Sequence, residues 1–240
     1  MLPSQPNESL IDGIECLHAL AVSQAPVGVR ELARRLGMEP TRVNRLLKTL
    51  AHMGIAAQTP AKKYVPGPGM HVLAAHSIFA SGLLRRAIPR LEGLGRHGMV
   101  AALGVLWKDH VSYLYHASPG MRTADALGRM ALYPATLSSI GMILLANLPE
   151  KDVAKLYQGK EIPGFEGGIG DLLTALRKFR KDGCATVITG ENEAGNRSVA
   201  CAVGSPPIAA VALSGRISEA EAAHFRKILR EAAEEIGGTE

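Results

Sequence analysis

Cysteine is scarce in this chain. Cys16, Cys184 and Cys201 are the only three among 240 residues, they lie far apart, and no CxxC pair occurs. That excludes a short disulfide-stapled scaffold and argues against a structural zinc site. Thiols used so sparingly suit a reducing compartment, so the expectation is a cytoplasmic protein in which Cys184 and Cys201 behave as small buried hydrophobes. Long apolar runs are also missing. The longest clean stretch, Met99 to Trp107, falls well short of the roughly 18 to 20 residues that a membrane-spanning helix needs. The opening MLPSQPNES has neither a basic nor an apolar segment of the exported kind, so a soluble chain with no membrane partner is expected. The eight histidines offer no helical ligand pair, since His71 and His76 stand five apart and His110 and His116 six apart. GxGxxG and GKS phosphate loops are absent, which disfavours nucleotide enzymes. No metal, no cofactor and no catalytic residue are therefore expected.

What is present is ordinary globular composition, with 47% hydrophobic and 20% charged residues and a mean hydropathy of +0.09. Such a chain can bury a sizeable core. The net charge of +5 is unevenly spread. Residues 1–25 carry Glu8, Asp12 and Glu15 and no base, whereas residues 26–66 carry eight Lys or Arg against Glu31 and Glu39 alone. The basic character belongs to one window, and that window suits a polyanion.

Apolar spacing predicts a helix over residues 8–22, capped by Asn7 or Ser9. A second helix spans Val29 to Leu36, with Gly28 as cap, Glu31 at the capping-box position and Gly37 closing it. A third starts at Pro40 and turns Val43, Leu46, Leu47 and Leu50 inward, ending near Gly54. Ile55 to Thr59 and Tyr64 to Pro66 then flank Pro60-Ala-Lys-Lys63 as a small hairpin. Three helices and a hairpin make a winged helix over residues 1–69. A linker helix follows in 70–82. Beyond it, hairpin strands at 100–107 and 111–117, helices at 138–148, 151–157 and 171–181, strands at 184–188, 198–203 and 208–213 and a closing helix at 218–236 predict an α+β domain over 83–240 with an antiparallel sheet.

The tight Gly37-Met38-Glu39 turn between two short helices is a helix-turn-helix arrangement, whose second helix enters the major groove by its N-terminal residues. With the apolar set committed inward, Thr41, Arg42, Asn44, Arg45 and Lys48 face outward. Arginine can grip guanine, asparagine adenine and threonine the thymine methyl. Lys48, Arg34, Arg35 and the hairpin-tip Lys62 and Lys63 suit phosphates.

Val29-Arg-Glu-Leu-Ala-Arg-Arg-Leu-Gly37, Thr41-Arg-Val-Asn-Arg-Leu-Leu-Lys-Thr-Leu50 and Lys63-Tyr-Val-Pro-Gly-Pro68 resemble the DNA-binding end of the IclR family of bacterial transcription regulators. Pro134 to Ala146, Glu191 to Gly195 with Ser198 to Val203, and Ala209 to Gly215 are similar to three motifs of that family's second domain. The resemblance implies a GAF-like effector domain, a homodimer or dimer of dimers, and small-molecule control of binding to a double-stranded DNA operator. The family's usual histidine and lysine positions hold Thr136 and Met142.

Thr136, Ser138 and Ser139 gather hydroxyls at a helix start, which serves equally for capping and for an anion pocket. Together with Ile140, Cys201, Ala202, Leu213 and Ser214 they are the expected effector wall, for an organic acid or a sugar derivative. A homo-oligomeric repressor is the reading these features favour. The alternative is an enzyme whose basic winged helix docks a nucleic acid or a partner, for which no acid–base or metal set is found.

Overall fold

Asn7 opens the first helix, α1 (Glu8–Ala21), by accepting from the Leu10 amide at 3.0 Å. In α2 (Val29–Leu36) the cap is Gly28, which has no side chain to complete a capping box. Glu31 therefore pairs with Arg35 one turn further on. Gly37 takes a left-handed φ of 64°, cheap only for glycine, and redirects the chain into α3 (Pro40–His52). The strands β1 (Ala56–Gln58) and β2 (Tyr64–Pro66) form the hairpin, and Val27 adds a rung against Tyr64. Cys16, Leu20, Val27, Leu32, Val43, Leu47 and Tyr64 make the core of this winged helix-turn-helix. Burial pushes the Cys16 thiol up to about 11, aided by Asp12 and Glu15, so it stays protonated at neutral pH. The helix α4 (Pro68–Ser81) buries none of its residues.

The computed structural model describes residues 5–128, 131–188 and 196–238, and contacts divide the chain into units 1–81 and 82–240. The stretch Glu191–Gly195, which carries part of the family resemblance, lies outside the described residues.

The second unit starts with α5 (Leu83–Gly95), then the hairpin β3 (Val100–Trp107) and β4 (His110–Ala117). Between β4 and the next long helix lie a short helix α6 (Thr123–Ala126), an edge strand β5 (Tyr133–Pro134) and a 3-10 turn (Ala135–Leu137). Two helices follow, α7 (Ser139–Ala146) and α8 (Glu150–Leu156), and then α9 (Ile169–Asp182). The remaining strands are β6 (Cys184–Ile188), β7 (Asn196–Val203) and β8 (Ala209–Arg216), before α10 (Glu219–Gly237). Ser218 and Glu221 start α10 with a reciprocal capping box.

All neighbours in the sheet run antiparallel, in the order β5-β4-β3-β8-β7-β6. Side chains alternate between its faces. Leu103, Val199, Cys201, Val203, Val211 and Leu213 share a core with residues of α5 and α10. Ala102, Ala185, Ala200, Ala210 and Ala212 share the other core with α7, α8 and α9.

One expectation is overturned here. Cys184 and Cys201 are joined in a disulfide, with Cα atoms 4.5 Å apart, because antiparallel pairing of β6 with β7 sets them directly opposite. Distance in sequence concealed a cross-strand pair, and the argument from unpaired thiols to a reducing compartment loses its premise. Cys16 is the free cysteine. Among the described residues no helix is long and apolar enough to cross a membrane, and no cluster of three His, Cys, Asp or Glu could hold a metal.

Closing a loop across a sequence separation of 17 residues is worth about 3 kcal/mol in the chain-entropy account. Reduction, or the double change Cys184→Ala/Cys201→Ala, should lower unfolding free energy by about that amount in urea titrations. Thiol titration in denaturant should count one thiol before reduction and three after. Three thiols in the unreduced protein would refute the pairing.

Candidate functional site

In the first unit the outward residues fall as the helical period requires. Val43 and Leu47 are fully buried, while Thr41, Arg42, Arg45 and Lys48 are exposed and Asn44 is half-buried. Two of the expected arginine contacts are already committed within the unit. Arg42 forms an ion pair through Nε with Asp12 of α1. Arg35 is held by Glu31 and donates to Ser23 Oγ at 3.2 Å. Arg34 is exposed on α2. At the wing tip Lys62 adopts a φ of 56°, held by its amide to Thr59 O at 2.9 Å, and both Lys62 and Lys63 are exposed. This face therefore carries exposed cations beside ion-paired ones.

In the second unit two sets of hydrogen-bonded hydroxyls meet at the N-terminus of α7. Ser138 caps the helix by accepting from the Gly141 amide at 3.3 Å and shares a 3.0 Å hydrogen bond with Tyr113 Oη. Burial pushes the Tyr113 phenol up, partly offset by Ser138, so it stays protonated. Ser139 Oγ lies 2.6 Å from Ser198 Oγ, and Ser214 donates to Ser198 at 2.5 Å. Ser198 and Ser214 are cross-strand partners in the β7–β8 register, so the sheet itself brings them together. The hydroxyl of Thr136 is buried and has no hydrogen-bond partner among the described residues. A buried hydroxyl left so costs roughly 1 to 3 kcal/mol.

Two residues expected in the wall lie on the other face of the sheet. Cys201 and Leu213 point to the opposite face, where Cys201 is bonded to Cys184 and both pack in the core with α5 and α10. The cause is parity: neighbours on a strand face opposite ways, so Cys201 with Ala202, and Leu213 with Ser214, cannot line one wall. Ala202 has the right face, but it stands four residues along β7 from Ser198, about 13 Å away. Ile140 is buried against the sheet. Ser198 and Tyr113 are the members that sequence reasoning missed. Counting back in twos from Ala202, or pairing β7 against β8 from Ser214, leads to Ser198.

The 3-10 turn ahead of α7 is pinned from below. The Ala135 amide donates to Asp109 O at 2.9 Å, and the Asp109 carboxylate accepts from Lys160 at 2.7 Å and meets His110 Nδ1 at 3.0 Å. Burial pushes this carboxyl up, but the hydrogen bonds from Lys160 and His110 outweigh it and hold the group below its usual range. Gly141 seats the other side of the turn, because a β-carbon there would lie 2.1 Å from Ala135 O.

The chain matches two family models: the C-terminal region of the bacterial transcriptional regulator IclR over residues 75–237, and the IclR helix-turn-helix domain over residues 10–60. It is 30% identical to the HTH-type transcriptional regulator BhcR of Paracoccus denitrificans across 63% of this chain and 55% of that protein, so it spans about half of that relative's length. It is 26% identical to the transcriptional repressor IclR of Escherichia coli across 95% of this chain and 88% of that one. Its fold is shared with an IclR homolog from Microbacterium hydrocarbonoxydans crystallised with 4-hydroxybenzoate, at a TM-score of 0.67 and 21% identity over 95% of this chain and 97% of that one. These relatives are transcriptional regulators, not enzymes.

The contact between Gly141 and Ala135 yields a stability test. Gly141→Ala would set its methyl against backbone atoms at 2.1 and 2.4 Å, which only movement of the helix or the turn can relieve. A loss of about 3 kcal/mol in urea unfolding is expected. A neutral Gly141→Ala would mean that α7 does not lie this close.

Proposed function

The chain belongs to the IclR family of bacterial transcriptional regulators, and from that membership we propose that it binds double-stranded operator DNA as a repressor and changes that binding when a small effector occupies its second unit. The observation that carries the reading is the basic face of the first unit, where Thr41, Arg45 and Lys48 are exposed opposite the buried Val43 and Leu47, with Lys62 and Lys63 at the wing tip. In this reading Arg42 and Arg45 read base edges, Thr41 and Asn44 assist, and Arg34, Arg35, Lys48, Lys62 and Lys63 hold phosphates. Residues 70–82 form the link between a DNA-binding part, 1–69, and an effector part, 83–240. Val72, Leu73, Ile78 and Phe79 on α4 are all exposed, Phe79 by 88%, which supports pairing of two copies through this helix.

Thr136, Ser138, Ser139 and Ser214, joined by Ser198 and Tyr113, form the proposed effector site. Hydroxyls and the amides of a helix start suit a small hydroxylated or carboxylated molecule, and 4-hydroxybenzoate in the related crystal structure is of that class.

Selection from random duplexes should enrich a near-palindrome, and sedimentation of the complex should give two or four protomers per site. On that duplex Arg45→Ala should cost about 1 to 3 kcal/mol and relax one base pair, whereas Lys48→Ala should weaken all sequences alike and lower the salt slope by about one. Equal losses on selected and scrambled DNA for both variants would refute the division of roles.

For the effector, a thermal-shift screen of small organic acids and sugar acids on the full chain is the starting point. Thr136→Val removes the unpartnered hydroxyl at nearly constant volume, so the stability of the unliganded protein should hold or rise while affinity for the hit falls about tenfold. Undiminished binding by Thr136→Val would move the site elsewhere.

A further inference from the structure

The first helix contributes an acid to the basic face. Asp12, only 15% exposed, is paired through Oδ2 with Nε of Arg42, itself 46% exposed. One residue along α1 and one turn along α3, Gly13 faces Leu46, at 3.9 Å from where its β-carbon would stand. The Asp12–Gly13 edge of α1 thus seats on the Arg42–Leu46 edge of α3. Beside this contact runs a groove of about 900 Å³, lined by Leu10, Ile14, Arg42, Arg45 and Met53 among others. An untethered Arg42 would have that space to fold into.

We infer that Asp12 is a positioning residue for DNA recognition, holding the Arg42 guanidinium by Nε so that its outer edge, Nη1 and Nη2, is presented to a guanine. The inference rests on the DNA-binding reading above. Its logic is geometric. A guanidinium reads guanine bidentately along one edge, a long arginine side chain loses much rotamer freedom when it does so, and a carboxylate on the opposite side of the fork removes that freedom in advance. The acid has a second effect. It sits among the cations of residues 26–66 and repels phosphates, so it lowers affinity for any duplex while leaving the base contact intact. That repulsion acts on selected and scrambled duplexes alike, so the ratio between them reports the orientation of Arg42.

The test uses the full chain and the duplex that the wild type enriches from a random pool, with a scrambled duplex as reference. Asp12→Ala should bind scrambled DNA more tightly and reduce the selected-to-scrambled ratio about tenfold, relaxing the same base pair that Arg42→Ala relaxes. The double variant Asp12→Ala/Arg42→Ala should show no larger loss of preference than Arg42→Ala alone. Asp12→Asn, which keeps the shape and a weaker acceptor, should fall between wild type and Asp12→Ala; it also serves if the alanine variant does not fold. A merely structural tie between α1 and α3 would lower the melting temperature and leave the base preference where it was. Ratios within twofold of wild type for both Asp12 variants, or losses that add in the double variant, would overturn the role of Asp12. If the wild-type chain enriches no duplex at all, the DNA-binding reading falls and takes this inference with it.

Discussion

The second unit depends on how near α7 comes to the sheet. Every residue of this eight-residue helix is buried, so it has no solvent face and must be enclosed by the elements around it. Small residues on the facing strands permit that. Ala102, Ala200, Ala210 and Ala212 lie under it, and at Gly104 a β-carbon would sit 3.2 Å from Ile140. Such an approach leaves little freedom in where the helix begins. The hydroxyls of Ser138 and Ser139 are consequently set against Tyr113 and Ser198 by packing remote from them, and the Asp109–Lys160 anchor fixes the turn that leads in. The polar cluster is the end of a packed layer, which is the kind of support a preorganised site requires.

The first unit is small and solves a different problem, because it must hold many cations on one side. Two of its acids meet particular bases: Glu31 pairs with Arg35 on α2, and Asp12 with Arg42 between α1 and α3. The Glu31–Arg35 pair, exposed on both sides, adds little to stability. The effect of both pairs lies in orientation, while Arg34, Arg45, Lys48, Lys62 and Lys63 are left exposed. Asp12, one of the three acids of residues 1–25, is thereby part of the basic face.

Much of this was legible in the chain. The Gly37 turn, the Pro40 start, the hairpin around Lys62 and the hairpin strands followed from local chemistry, since each needs only a few neighbouring residues to declare itself. The parity of a strand is less visible. Runs such as Ser198 to Val203 and Ala209 to Leu213, buried on both sides, show no alternation of apolar and polar residues to say which positions face α7, so Cys201 and Leu213 look as eligible for that face as their neighbours. The disulfide was hidden for a related cause, because a cross-strand pair is created by register, which composition does not carry. The edge strand β5 owes its existence to β4 beside it, and its two residues have no signal of their own.

The bond between Cys184 and Cys201 has a topological consequence. It makes the β6–β7 hairpin a covalent ring, with the rest of the chain leaving from both sides of its clasp. A single peptide bond cut anywhere between those two cysteines opens the ring without dividing the molecule. The sheet, whose central strands β3 and β8 and covering helix α10 lie outside the ring in sequence, would keep all its strands tethered until the sulfurs were reduced.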